Sequence, residues 1–176
     1  MPPRFGVDHN FPEPLLEAIR GYLPFGVEMI KRISPLLVDN VDDWQVLLAL
    51  AQQRYHGFIS LDFEAIALPK EMAVVHQTKL TVVAIEAAGD NPLRAVGQLL
   101  IHATHIEKNY RAEEPQVFKI SPPRLKPPLT AWNCLGEIAG RQTKAVEQLF
   151  REHRLTNDDL QRDVLAELAA RENQST

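Results

Sequence analysis

The run KLTVVAIEA (79–87) constrains the fold more than any other stretch, because Val82, Val83 and Ile85 come together as in a strand buried on both faces. Such a strand lies inside a sheet that is covered on both sides. The rest of the chain supplies that cover: strand signals at 4–7, GVEMIKRI (26–33), FISL (58–61) and QVFKIS (116–121) are separated by helical patterns. Pro12 and Pro14 suit the first turn of a helix carrying Leu15, Leu16, Ile19 and Leu23, which Gly21 and Pro24 stop. DDWQVLLALAQQRY opens on two acids, carries Val46, Leu47, Leu50 and Ala51 along one face, and ends before Gly57. Further helices are expected over roughly 69–77 and from Asp90, Asn91 and Pro92 toward Lys108.

This alternation predicts an α/β fold with an open, mainly parallel sheet covered by helices. SPLLVDNV (34–41) reads as a loop, and the prolines of SPPRLKPPL (121–129) argue against a regular element there. Beyond them the pattern is helical through Trp132, Leu135, Ile138, Val146, Leu149 and Phe150. It breaks at Thr156–Asp159, where Thr156 or Asn157 suits a cap, and resumes with Leu160, Val164 and Leu168. Only the ENQST tail reads as disordered. The expected organisation is an α/β domain over 1–128 and a helical C-terminal extension over 129–176, packed on the domain or prolonging it.

At 176 residues the chain suffices for one well-cored domain with such an appended piece. Its net charge of -4 gives no global attraction to nucleic acid, so any such contact needs a local basic patch or a metal. The single Cys134 cannot close an internal disulfide, and its helical spacing with Trp132, Leu135 and Ile138 predicts a small buried thiol. No stretch has the pattern of a signal peptide or the length of a membrane span. A cytoplasmic protein with no membrane partner is the expectation.

Chemistry is suggested by where the acids fall. In a parallel sheet the strand C-termini share one edge, so residues just after different strands converge. Asp8 follows the first strand and Asp62 the third, Asp42 and Asp43 open the helix between them, and Glu64 stands two residues beyond Asp62. Clustered carboxylates repel and are costly to desolvate unless a cation compensates, and hard oxygen donors with room for water suit Mg²⁺ or Mn²⁺. Taken singly, each of these acids reads as a turn residue or a helix cap. It is their combination that points to metal-dependent phosphoryl chemistry.

The order VDHNFPEPLLEAI (7–19), then VDDWQVLLALAQQRYHGFISLDFE (41–64), resembles the PIN-like nucleases, in particular the toxin-type branch of toxin-antitoxin systems. That pattern is Asp-x-Asn, an Asp opening a helix as Asp-x-x-aliphatic, then a strand ending Ser/Thr-x-Asp. It is carried here by Asp8 and Asn10, Asp43 and Val46, and Ser60 and Asp62. The resemblance implies a PIN-like fold over 1–128 and a Mg²⁺- or Mn²⁺-dependent endoribonuclease with RNA as substrate and an antitoxin as partner. In that reading Asp8, Asp43 and Asp62 are metal ligands, with Asp42 the alternative to Asp43. Asn10 positions water or phosphate, and Ser60 holds the last carboxylate. The family writes Asp-x-Asp-Phe where this chain has Leu61, Asp62, Phe63 and Glu64, so either Glu64 replaces the second acid or the register shifts by one residue. The acid that larger PIN domains carry on a middle helix has no clear counterpart.

His102 and His105 stand three apart on a predicted helix, where they read as packing residues, zinc being the alternative, with Glu107 nearby. His9 is expected to point away from Asp8 in an extended backbone. Lys108, Arg111, Lys119, Arg124 and Lys126 form either a phosphate-binding patch or a solvated surface. Two other classes stand beside the nuclease. One is a receiver-like phosphoacceptor domain, which needs a lysine after a later strand, and none ends KLTVVAIEA. The other is a non-catalytic partner-binding module, whose C-terminal helices cover the sheet or form a homodimer seam or antitoxin-docking surface.

Overall fold

The structure is a computed structural model that describes residues 2–38, 41–86, 88, 91–121 and 128–174. The chain runs β1 (Arg4–Val7), α1 (Glu13–Ile19), β2 (Gly26–Met29), α2 (Ile30–Ile33), α3 (Asp43–Gln52), β3 (Gly57–Ser60), α4 (Phe63–Ile66), α5 (Pro69–Thr78) and β4 (Thr81–Ile85). It continues with α6 (Pro92–Asn109), β5 (Gln116–Ile120), β6 (Leu129–Thr130), α7 (Ala131–Arg141), α8 (Val146–His153), α9 (Asn157–Gln161) and α10 (Val164–Gln174). The strands make one sheet in the order β2-β1-β3-β4-β5-β6, parallel except for β6, which runs antiparallel to β5. The fold is α/β, as the alternation of patterns predicts.

Side chains alternate across the sheet. Phe58, Val82 and Val117 face one way, into a core shared with α3, α5, α7, α8 and α10. Ile59, Val83 and Phe118 face the other way, into a core closed by Leu16 and Ile19 of α1 and Leu99 and Ile106 of α6. Between these layers the strands pack tightly. A Cβ at Gly57 would lie 2.0 Å from the Thr81 carbonyl oxygen and 2.8 Å from the Phe5 ring, so only glycine fits where β3 passes between β1 and β4.

Several expected boundaries move. The apolar run 26–33 is strand only to Met29, because its parallel register against β1 ends at the Val7–Met29 pair, and Ile30–Ile33 turns into helix. FISL is shifted by one residue, to Gly57–Ser60. KLTVVAIEA contributes strand from Thr81 to Ile85, since Lys79 adopts a left-handed φ of 61° at the C-terminus of α5. Within 34–41 a 3-10 turn forms at Pro35–Leu37, capped by Ser34 Oγ, which accepts the Leu36 N–H at 3.3 Å. The proline-rich stretch yields a short strand at Leu129–Thr130. Asn91 caps α6, its side-chain oxygen accepting the Arg94 N–H at 2.9 Å, whereas Asp90 lies outside the described residues. α10 extends to Gln174, so most of the tail expected to be disordered is helical.

The C-terminal helices dock on α5. His76, Trp132 and Phe150 form a three-ring cluster, with His76 5.4 and 5.5 Å from the other two ring centroids and those two 5.4 Å apart. The Gln77 amide closes two hydrogen bonds with the backbone of one residue, donating to the Leu155 carbonyl and accepting the Leu155 N–H, both at 3.1 Å. No described helix is long and apolar enough to cross a membrane.

Candidate functional site

β1 pairs with β2 on one side and with β3 on the other, so the chain reverses its direction of travel across the sheet between β1 and β3. At such a switch point the flanking connections diverge and leave a crevice beyond the strand C-termini. Asp8 and Asp62 sit at that crevice. They follow strands that are neighbours in space, and the Asp8 N–H donates to the Ile59 carbonyl at 2.9 Å.

Asp8 is buried, 8% exposed, and accepts three contacts. Ser60 Oγ donates to Oδ2 at 3.3 Å, the Asn10 N–H reaches Oδ1 at 3.4 Å, and His9 Nδ1 lies 2.9 Å from Oδ1. His9 therefore turns back onto Asp8 instead of pointing away. The strand ends at Val7, and the turn closed by the Phe11 N–H on the Asp8 carbonyl removes the extended alternation on which the opposite expectation rests. Asn10 contributes its backbone N–H to this turn.

Ser60 also accepts the Asp62 N–H at 3.1 Å, so one hydroxyl bridges the ends of β1 and β3. Asp62 is exposed and caps α4 through Oδ1, which accepts the Ala65 N–H at 3.0 Å. Asp42 and Asp43 differ sharply. Asp42 is occupied by the start of α3: its Oδ2 accepts Trp44 Nε1–H at 3.1 Å and its N–H donates to Gln45 Oε1 at 3.3 Å. Asp43, half-buried, has no hydrogen-bond donor among the described residues. Burial pushes its carboxyl up, and the charges of Asp8 and Asp62 push it further, while a protonated His9 offsets part of the rise.

Glu71, in the first turn of α5, is an acid that sequence reading passes over. It is 6% exposed, its Oε2 has no partner among the described residues, and burial followed by the charge of Asp43 raises its pKa. The available signal was an acid sharing a helix face with Val74 and Val75. Its proximity to Asp43 depends on how α5 packs against α3, which no local pattern states.

Glu64 is exposed on α4 and, with Leu61, Asp62, Phe63 and Glu86, surrounds a cavity of about 290 Å³. Lys119, near the end of β5, contacts Glu86 at 3.1 Å and stands 3.9 Å from the centre of the Phe63 ring. Of the other members of that basic set, Lys108 and Arg111 do not gather with it. Lys108 closes α6 and Arg111 bonds through its N–H to Gln116 Oε1 at 2.7 Å, at the opposite edge of the sheet. Arg124 and Lys126 lie outside the described residues. His102 Nδ1 and His105 Nε2 are buried without partners among the described residues, and His105 Nδ1 lies 3.3 Å from the Asn109 amide nitrogen. Cys134 is a buried thiol, 2% exposed, which burial pushes up to about 11, far from the pKa of a reactive nucleophile.

Among the described residues no three His, Cys, Asp or Glu side chains close around a point as a ready-made metal cage. The donor chemistry nevertheless fits Mg²⁺ or Mn²⁺, for which one or two carboxylates and several waters suffice. An Asp43 carboxylate without a donor, destabilised by two like charges, is the feature that such a cation would relieve. The chain matches no protein-family model, and no curated protein or solved structure is significantly similar to it.

Proposed function

We propose that the chain is a PIN-like nuclease domain acting as a Mg²⁺- or Mn²⁺-dependent endoribonuclease, the toxin of a toxin-antitoxin pair. The observation that carries the reading is Asp43, a half-buried carboxylate with no hydrogen-bond donor among the described residues, in the field of Asp8 and Asp62 at the β1/β3 switch point. Asp8, Asp43 and Asp62 hold the ion, and Asp43 takes this role in place of Asp42, whose carboxylate is engaged by Trp44. The chemistry such an ion supplies when bound is charge neutralisation at the phosphodiester and a nucleophile at neutral pH.

The chain's own residues prepare the site. Ser60 fixes Asp8 and the Asp62 backbone against each other, which sets the spacing of two ligands. His9 holds Oδ1 of Asp8 and sets an exposed imidazole beside it, while Asn10 and Glu64 are left to orient water or substrate. The test is cleavage of a labelled single-stranded RNA with Mn²⁺, stopped by chelation. Wild type should cleave and Asp43→Asn should not, with an unchanged circular dichroism spectrum. Equal rates for the two proteins would place the site wrongly.

A receiver-like phosphoacceptor is the second reading, supported by the strand order β2-β1-β3-β4-β5 and by Lys119 near the acidic edge. It requires Asp62 to take up acid-labile phosphate from a small phosphodonor. Phosphorylation abolished by Asp62→Asn, without RNA cleavage, would install it in place of the nuclease.

A further inference from the structure

The acidic crevice opens sideways into a second hollow. The cavity beside Asp62 shares Phe63, Glu64 and Glu86 with a larger one of about 440 Å³, which Lys119 and Arg141 also line. The two form one groove with unlike ends. Asp62 lies toward the strand ends, Glu64 and Glu86 line both hollows, and Arg141, in the last turn of α7, lies at the far side.

Three observations give the far end a chemistry. Arg141 is exposed and makes no ion pair among the described residues, so its guanidinium is available to an anion. Leu68, a large apolar residue left 51% exposed, forms the wall with Phe63 and Ile138. The volume is that of a site for a nucleotide-sized ligand. Lys119 is held in place by Glu86 and the face of Phe63, with 15% of its side chain exposed between the two ends.

Resting on the nuclease reading of the acidic crevice, we propose that this groove seats the nucleotide next to the scissile phosphate of a single-stranded RNA. Its base lies against Leu68, Ile138 and Phe63, and its phosphate on Arg141. The carboxylates at the other end repel a bare phosphate and take one up with a divalent cation, so without that cation the strand is held by the Arg141 end alone. The strand is therefore laid with its scissile phosphate at Asp62 and the neighbouring phosphate at Arg141. The C-terminal helices thereby supply part of the substrate site.

The experiment measures binding of a fluorescein-labelled single-stranded RNA decamer of mixed sequence by anisotropy, in EDTA so that no metal-dependent cleavage consumes it, over a series of salt concentrations. Arg141→Gln should weaken binding about fivefold and lower the slope of log K against log salt by about 0.7, the share of one phosphate contact on a single strand. Leu68→Ser should weaken it severalfold with the slope unchanged, because the contact it removes is apolar. Arg111→Gln, at the opposite edge of the sheet, should keep wild-type affinity and slope. The groove is overturned if wild type binds no RNA, or if Arg141→Gln binds with wild-type affinity and slope while retaining its thermal midpoint. RNA binding that depends on Arg141, in a wild type that fails to cleave with Mn²⁺, keeps the groove and removes the nuclease.

Discussion

The two ends of β1 carry ionisable groups in opposite states. At its start Arg4 stacks on Tyr55, 4.4 Å from the ring centre, and donates to the Tyr55 hydroxyl at 2.9 Å. That hydroxyl donates in turn to Glu28 at 2.5 Å, and His56 Nδ1 accepts the Arg4 N–H at 3.0 Å. Burial and the hydrogen bond to Glu28 push Tyr55 up to about 12, so it stays a neutral donor at any physiological pH. At the other end Asp43 has no donor among the described residues, and the charges acting on it most strongly, those of Asp8 and Asp62, are of its own sign. A network built for stability matches each polar group to a complement, whereas the crevice leaves a mismatch that folding alone does not relieve.

The largest expected effect breaks the crevice. Asp8→Asn should reduce Mn²⁺-dependent RNA cleavage by more than the roughly 10–100-fold that losing a supporting partner costs, measured as initial rates at saturating metal. At the opposite end, Tyr55→Phe removes a hydroxyl that both donates and accepts. It should lower unfolding free energy by about 1–3 kcal/mol in urea titrations while leaving the rate per folded molecule unchanged.

A third prediction follows from sign. A carboxyl whose folded pKa lies above its unfolded value favours folding most at pH below that unfolded value and loses this contribution as pH rises through the folded value. At neutral pH Asp43 is therefore a liability without metal. Asp43→Asn should melt higher than metal-free wild type at pH 7, and the difference should shrink as pH falls toward about 4. Added Mn²⁺ should raise the melting point of wild type more than that of the variant. The smallest effect belongs to Asp42→Asn, which leaves the Trp44 and Gln45 contacts an oxygen acceptor and a backbone N–H. Cleavage should change by less than about threefold, well inside the cost of losing a supporting partner. A loss matching that of Asp43→Asn would exchange the two assignments.

The comparison also shows what a linear reading reaches. The doubly buried run around Val82 and Val83 and the alternation of patterns contain enough to specify a helix-covered, mainly parallel sheet, because both depend on local periodicity. Asp8 and Asp62 are legible as edge residues for the same reason. Glu71, the exchange of partners that separates Asp42 from Asp43, and the placement of Lys108 and Arg111 at the opposite edge all depend on how α3, α5 and α6 pack. His9 was misread through a rule that is sound within strands and fails one residue past their end.

The paired bonds between the Gln77 side chain and the Leu155 backbone work as a length gauge. They index the segment after α8 to one position on α5, so the span from Phe150 to Leu155 has a fixed residue count as well as a composition. A chain with one residue added between Phe150 and Leu155 must forfeit either that latch or the contact of His76 with Phe150, whereas the turn around Thr143, exposed and outside both contacts, has room to vary.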